Sequence, residues 1–268
     1  MGAKISVNDL SMQYGDYVVM RNISFDVVPG EVFLIIGESG CGKTTLLKYL
    51  VGLQDVPVGK IFYDGQEIHR SMEDPTFYGH KIGVLYQSGA LWSSMTLAEN
   101  VALPLETYTT LSKSDIADIV SFKLSLVGLK GFEDFYPSQI SGGMKKRAGL
   151  ARAIALDPEI LFFDEPSAGL DPVSSKRLDD LIIELQQSLG MTVIIVTHEL
   201  ASIFAVGTRA IYLDAMTKRA VAIGSPRELL ASNDPNVVSF LTRGNTPSSV
   251  VLHDNLQMMS SSAKHRQS

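Results

Sequence analysis

The stretch Gly37-Glu38-Ser39-Gly40-Cys41-Gly42-Lys43-Thr44 has the spacing G-x-x-x-x-G-K-T. Those residue types in that order suit one chemistry, the holding of a phosphate chain. Glycines let successive backbone N–H groups turn inward on an anion, and the start of a following helix adds partial positive charge. Lys43 can then reach the β- and γ-phosphates of a nucleoside triphosphate, and the Thr44 hydroxyl can ligate Mg²⁺. Residues Gly37 to Thr45 are therefore the candidate nucleotide contacts. A chance glycine turn would not have these flanks: the apolar run Glu31–Ile36 before it reads as a buried strand, and Thr45–Leu50 after it as a helix.

Other residues could complete the chemistry. Asp164 and Glu165 follow the short apolar run Ile160-Leu161-Phe162-Phe163, at the C-terminal end of an expected core strand, where ligands gather in open α/β sheets. Asp164 is the candidate for the Mg²⁺ shell. Glu165 is the candidate to polarise a water for attack on the γ-phosphate. His198 closes the next such run, Thr192–Val196, where an imidazole could sense that phosphate. A lone histidine at a strand end is more often structural, so only its neighbours promote it. Ser141-Gly142-Gly143, opening a second long helix, would make another anion cradle. Its plainer reading is an N-cap with a flexible turn. A second phosphate site is a puzzle in a chain whose first loop already holds the triphosphate.

Elements must position these groups. Ile5–Leu10 and Ile23–Val27 alternate apolar and polar as half-buried strands do, and Lys60–Gly65 reads as a strand ending in an Asp-Gly turn. Ile116, Ile119, Val120, Leu124 and Val127 recur at helical spacing over 112–128, with Leu97–Leu105 before them; a further helix is expected over 141–156 and another over 178–189. Ser225-Pro226-Arg227-Glu228 is a capping box with proline at the first helical position. Strands alternating with helices imply an α/β fold with a mostly parallel core sheet, an antiparallel β subdomain and a helical subdomain inserted at about 90–155. The folded unit is expected over 5–245, followed by a polar, serine-rich tail over 246–268.

The 268 residues, 45% hydrophobic, allow one large domain with a sizeable core. No apolar run approaches the roughly 20 residues of a spanning helix, and the first residues lack a signal-peptide core. The chain is expected to be soluble and cytoplasmic, with any membrane role supplied by a partner. A single cysteine, Cys41, excludes an internal disulfide, and a net charge of −6 gives no case for nucleic-acid binding.

Taken together these residues resemble the ATPase subunits of ABC transporters, over about residues 5–245. Gly37–Thr44 resembles the Walker A motif, Gln87 the Q-loop, Ser141-Gly142-Gly143-Met144 the ABC signature, Ile160–Glu165 Walker B, Ser167–Asp171 the D-loop and His198 the switch histidine. Tyr14 lies where that family places an aromatic that stacks on adenine. The resemblance implies a P-loop NTPase fold, ATP and Mg²⁺ as cofactors, and a head-to-tail homodimer in which the signature of one subunit covers the γ-phosphate held by the other. Asp171 and Ser141–Gly143 would then be nucleotide contacts, and Gln87 would join Thr44 and Asp164 around the metal. That arrangement would answer the puzzle of the second cradle.

A narrower resemblance, carried by Gln87–Leu91 and Ile140–Ala153, is to the Mla and Mce lipid-transport ATPases that pair with MlaE-like permeases and MCE-domain proteins. It implies transport of phospholipid or another hydrophobic molecule, an MCE-type substrate-binding protein in the same system, and a place on the cytoplasmic side of the inner membrane, held through the permease. The common signature has Gln where Met144 stands, and the D-loop has the common ABC form rather than the one associated with Mla itself. Other readings are an importer ATPase for a different small molecule, or a soluble ABC protein acting on ribosomes or nucleic acid. The latter usually carries two cassettes or a long coiled coil, and neither is present.

Two further expectations attach to single residues. Cys41, among helix-start N–H groups and beside Lys43, is either a reactive thiolate or a small residue filling a tight loop. Leu91, Trp92, Met95 and Leu97 follow Gln87 and form either a local mini-core or, by resemblance, the lining of the groove that receives a permease helix.

Overall fold

The computed structural model describes residues 2–68 and 80–243; the tail expected over 246–268 lies outside them. Buried apolar runs make the centre: β3 (Val32–Gly37), β7 (Ile160–Asp164) and β8 (Thr192–Val196), each buried along its whole length. A parallel strand covered on both faces needs that composition, which is why these stretches read as continuous runs rather than alternations. β6 (Ile82–Leu85) and β9 (Arg209–Asp214) extend the sheet in parallel, and β10 (Arg219–Gly224) closes one edge antiparallel to β9, giving the order β10-β9-β3-β8-β7-β6. The sequence reading leaves β6, β9 and β10 unassigned; β6 is short and only partly buried.

The second sheet is antiparallel. β1 (Ile5–Tyr14), β2 (Tyr17–Val27), β4 (Val58–Tyr63) and β5 (Gln66–Glu67) run in the order β2-β1-β4-β5. β1 and β2 extend well past the alternating stretches at 5–10 and 23–27. Register shifts between Val7 and Leu10 and between Leu10 and Met12 break the period of two, and Asp9 and Asn22 take left-handed φ values of +48° and +53°. A bulge resets which face each side chain takes, so alternation fades where the strand continues.

The two sheets and α1 (Lys43–Leu50) enclose one apolar core, in which Phe25 of β2 stacks on Phe33 of β3 at 5.2 Å and 4°. On the other face of the core sheet pack α2 (Leu97–Tyr108), α3 (Lys113–Leu126), α4 (Gly142–Ala153), α5 (Pro172–Leu189), α6 (Leu200–Val206), α7 (Pro226–Leu230) and α8 (Pro235–Thr242). Thr96, Ser112 and Ser225 close capping boxes at the starts of α2, α3 and α7. α4 stops at Ala153, short of the expected Leu156. α5 begins at Pro172 rather than near Leu178, because Asp171 caps it and proline fits its first turn although that turn carries no apolar stripe. The helices α2 to α4 leave the sheet after β6 and return at β7, which are hydrogen-bonded neighbours.

Candidate functional site

Parallel pairing brings the candidate residues to one sheet edge. Asp164 pairs with Val196, Leu85 with Phe163, and Ile35 with Val196. The chain therefore leaves β3 at Gly37, β7 at Asp164 and Glu165, β8 at Thr197 and His198, and β6 at Tyr86 and Gln87, all at the C-terminal end of the sheet. Gln87 and Glu38 to Gly40 are exposed there.

The loop at 37–44 needs its glycines. Gly37 has φ +150° and a Cβ there would stand 2.5 Å from the Leu213 carbonyl oxygen; Gly42 has φ +102° and its Cβ would meet Val19 Cγ1 at 2.8 Å. Neither position accepts an L side chain without displacing its neighbours. Lys43 is buried and donates from Nζ to the carbonyl oxygens of Gly37 and Glu38, at 2.9 Å each. A phosphate oxygen placed in the loop would offer the same ammonium a charged acceptor, and charge-assisted bonds are the stronger ones.

Thr44 donates from Oγ1 to Asp164 Oδ1 at 3.0 Å. Burial pushes the Asp164 carboxyl up, and the Thr44 hydrogen bond opposes that shift. A buried carboxylate beside a hydroxyl is an all-oxygen pair, the donor type Mg²⁺ takes when phosphates supply further ligands. Among the described residues no cluster of His, Cys, Asp and Glu could hold a metal by itself, so the donor set fits a cation that arrives with its phosphates. Thr44 and Asp164 would hold it, and it would neutralise charge on the β- and γ-oxygens.

Glu165 and His198 meet directly: His198 Nδ1 stands 2.8 Å from each carboxylate oxygen of Glu165. Glu165 has φ +50°, which turns the chain out of β7 and swings its side chain to that histidine. Neighbouring Glu199 lies 3.6 Å from His198 Nε2 and 3.5 Å from Arg243. Glu38, Ser39, His198, Glu199, Phe240 and Arg243 line a cavity of about 560 Å³ at this edge.

The second cradle is built differently. Ser141 is the N-cap of α4 and its Oγ accepts from the Met144 N–H at 3.3 Å. A Cβ at Gly142 would meet nothing within 4 Å. Ser141 and Gly142 are exposed, and among the described residues no hydrogen bond joins 141–143 to the loop at 37–45. Asp171 likewise turns on its own chain: Oδ1 accepts from the Val173 and Ser174 N–H groups at 3.0 Å each, and the hydrogen bonds to Ser174 hold its carboxyl below the usual range.

Tyr14 ends β1 with its ring 47% exposed, and hydrogen bonds with Thr45 and then Gln54 hold its phenol below the ordinary value. A tyrosine nearly half exposed beside Thr45 of the loop leaves room for a base to stack. Cys41 does not fit the reactive-thiolate expectation. It is 2% exposed, and burial pushes its thiol up although Lys43 opposes the shift.

The segment after Gln87 divides. Leu97 is fully buried as the first residue of α2, and Leu91 is half-buried against the helical core, whereas Trp92 is 59% exposed. Asn100, which the sequence reading missed, fixes this shape. It is fully buried, its Oδ1 accepts from the Trp92 N–H at 2.8 Å, and its Nδ2 donates to the carbonyls of Trp92, Met95 and Thr96. The available signal was a lone amide next to the apolar positions Leu97 and Val101. Arg152 was missed too; from α4 it donates to the Gly89 and Ala90 carbonyls at 3.2 and 2.8 Å, binding the Gln87 segment to the signature helix.

A family model described as ABC transporter matches residues 20–168. The chain is 42% identical over 239 residues to the intermembrane phospholipid transport system ATP-binding protein MlaF of Haemophilus influenzae, covering 88% of this chain and 89% of that one. MlaF of Escherichia coli K12 is 40% identical, with 88% of each chain covered. The probable ribonucleotide transport ATP-binding protein mkl of Mycobacterium tuberculosis is 40% identical over 243 residues, covering 90% of this chain and 67% of that one. Among solved structures, cbiO1 from Clostridium perfringens, part of an ABC transporter complex, superposes with a TM-score of 0.78 at 26% identity, covering 93% of this chain and 98% of that one. The dimeric post-hydrolysis state of an ATP-binding cassette bound to ADP and Pi gives 0.74 at 26% identity, covering 82% and 98%. By the family model it matches and the identities it shares, this chain belongs to the ABC transporter family, as an ATP-binding subunit.

Proposed function

We propose that the chain is the ATP-hydrolysing motor of a transporter for phospholipid or a similarly hydrophobic molecule. In this reading it works as a head-to-tail homodimer docked on a separate membrane permease at the cytoplasmic face of the inner membrane. The observation that carries the reading is the meeting of Glu165 with His198 at 2.8 Å, at the strand ends that also present Lys43, Thr44 and Asp164. Lys43 and the loop N–H groups would bind the phosphates, and Thr44, Asp164 and Gln87 would hold Mg²⁺. Glu165 takes a proton from the attacking water while His198 keeps its carboxylate aimed. Tyr14 stacks on adenine. Ser141, Gly142 and Gly143 close over the γ-phosphate of the partner subunit, and Asp171 lies at the joint.

Only a free-energy difference between open and closed dimers can move a permease. The route runs through the Gln87 segment: Gln87 would reach the metal, Arg152 grips Gly89 and Ala90, and Trp92 is exposed. The pair Leu91 and Trp92 stands just past Gln87, Leu91 half-buried against the helical core and Trp92 exposed. It offers apolar seating for a short permease helix. Among the described residues no helix is long and apolar enough to cross a membrane, so the spanning part is assigned to that partner and the cargo contacts to it and an MCE-type protein. Phospholipid is preferred to ribonucleotide because MlaF matches over nearly nine tenths of both chains, and the mycobacterial relative over two thirds of its own.

The test is reconstitution with the co-purified permease in vesicles carrying a fluorescent phospholipid. ATP-dependent movement of that lipid, lost in Glu165→Gln, is the expected result. ATP hydrolysis stimulated by a ribonucleotide and indifferent to lipid would overturn the cargo assignment. Trp92 emission should shift to the blue on adding permease, as its ring leaves water.

A further inference from the structure

Lys146 has no part in the chemistry described so far. It lies one turn past Gly142 in α4, is 6% exposed, and burial pushes its ammonium down. A buried cation needs acceptors, and this one finds them on the catalytic turn. Its Nζ donates to the Glu165 carbonyl at 3.3 Å and to the Ala168 carbonyl at 3.1 Å. Those carbonyls are the two ends of the turn Glu165-Pro166-Ser167-Ala168, which the Ala168 N–H closes on the Glu165 carbonyl at 3.2 Å.

The turn is one that needs holding. Glu165 is a residue with a Cβ at φ +50°, a conformation that costs on the order of 1–3 kcal/mol and persists where the surroundings over-determine it. Backbone restraint comes from the Glu165 N–H, which donates to the Val196 carbonyl at 2.9 Å. Within the turn, the Ser167 side chain adds no bond: it is buried, and among the described residues its Oγ has no partner. Lys146 thus supplies the side-chain bonds to both ends of the turn from a different element. That element is the helix whose N-cap Ser141 and first residue Gly142 stand exposed one turn before Lys146.

We propose that Lys146 is a positioning residue, which holds the Glu165 turn in its left-handed conformation and makes α4 a strut between the Ser141–Gly143 cradle and the Glu165 carboxylate of the same subunit. A load on the cradle then changes where Glu165 aims, so the occupied site of one subunit sets the readiness of the other. This rests on the reading of Glu165 as the group that polarises water and of the cradle as acting in trans.

The test uses the assembled transporter, purified with its membrane partner, and compares Lys146→Met with Lys146→Gln. Methionine keeps an unbranched chain of similar bulk without donors; glutamine keeps two N–H donors. Lys146→Met should lower kcat about ten- to a hundredfold, the loss a misplacement on the order of 1 Å carries, with KM for MgATP and the melting temperature near wild type. Lys146→Gln should recover most of the rate. Wild-type kcat in Lys146→Met, or equal losses in both variants, overturns the proposal, as does a loss shared evenly between kcat and KM. Glu165→Gln in parallel separates the failures: if it still turns over, the reading of Glu165 itself is wrong. Should Lys146→Met not assemble, hydrogen exchange on the unaltered complex decides. The Ala168 amide and the first amides of α4 should gain protection together when MgATP is added, and a change in one without the other overturns the strut.

Discussion

The loop at 37–44 and the start of α4 are both glycine-bearing cradles at helix N-termini, yet one is finished and the other is half of something. At the loop the lysine is buried, its ammonium is already bonded at 2.9 Å, and the metal pair Thr44–Asp164 is already formed. At α4 the serine and first glycine are exposed, and their observed hydrogen bonds serve only their own helix. The same local physics, unpaired N–H groups and a helix dipole, is present in both. The difference lies in what else converges. The ends of β7 and β8 present Asp164, Glu165 and His198 beside the loop, whereas among the described residues no hydrogen bond reaches Ser141–Gly143 from another element. A half-site of that kind is what a second copy would complete.

The sharpest way to break the contrast is to remove the base on the finished side. Glu165→Gln should lower turnover by about 10²- to 10⁴-fold while ATP still binds, and should accumulate an ATP-bound dimer on gel filtration. Near-normal hydrolysis would take Glu165 out of the reaction.

The unfinished side comes next. Ser141→Arg should lower turnover about a hundredfold, comparable to losing one preorganised donor, and leave ATP affinity near wild type, because the arginine obstructs only the partner's nucleotide. Mixed dimers with wild-type subunits should keep one unobstructed site. If Ser141→Arg alone loses ATP affinity as badly as Lys43→Ala, the two cradles serve one site and the contrast collapses.

A pH experiment probes the frame behind the finished site. Asp179 of α5 is 5% exposed, accepts from Ser202 of α6 at 2.8 Å, and is pushed by burial up to about 6. The folded state therefore holds the proton more tightly than the unfolded one. Its penalty is absent below about pH 4, grows as pH rises to 6 and is full above that, at most about 3 kcal/mol. Asp179→Asn should raise the melting temperature at pH 7.5, and the gain should vanish at pH 4. An equal gain at both values would mean that ionisation is not the cause.

The smallest effect is expected at Tyr14. Loss of its ring should weaken ATP binding by roughly 0.5–1.5 kcal/mol, with Tyr14→Trp restoring it in a fluorescence titration. Unchanged affinity in Tyr14→Ala would place adenine elsewhere.

Much of this was legible because certain residues act locally. The spacing from Gly37 to Thr44 specifies a loop by its own backbone needs, and the continuous runs 160–163 and 192–196 show burial on both faces. Capping boxes such as Ser225–Glu228 mark a helix start through two bonds spanning only three residues. What escaped depends on meetings between distant residues. Cys41 read either as a thiolate activated by Lys43 or as a small loop filler; its burial in the core shared with the β subdomain outweighs that charge. Leu97 read either as part of a local core or as groove lining; it is core, because Thr96 starts α2 there. Asn100 and Lys146 read as unremarkable polar residues. Their partners lie on carbonyls, and a carbonyl leaves no trace in the side-chain pattern.

The adjacency of β6 and β7 has a consequence for how the protein comes to be folded. These strands pair side by side although the whole of α2, α3 and α4 lies between them in the chain. Joining them from an open coil means closing a long loop, whose entropy cost rises with the logarithm of its length. A helical unit that condenses first brings its own two ends together and shortens the search. The edge of the sheet should then wait for the helices, so that substitutions such as Leu124→Ala, deep in their shared core, slow the late arrival of β6 while leaving the local pairing of β1 with β2 on time. A stopped-flow experiment would see one phase delayed and the other unmoved.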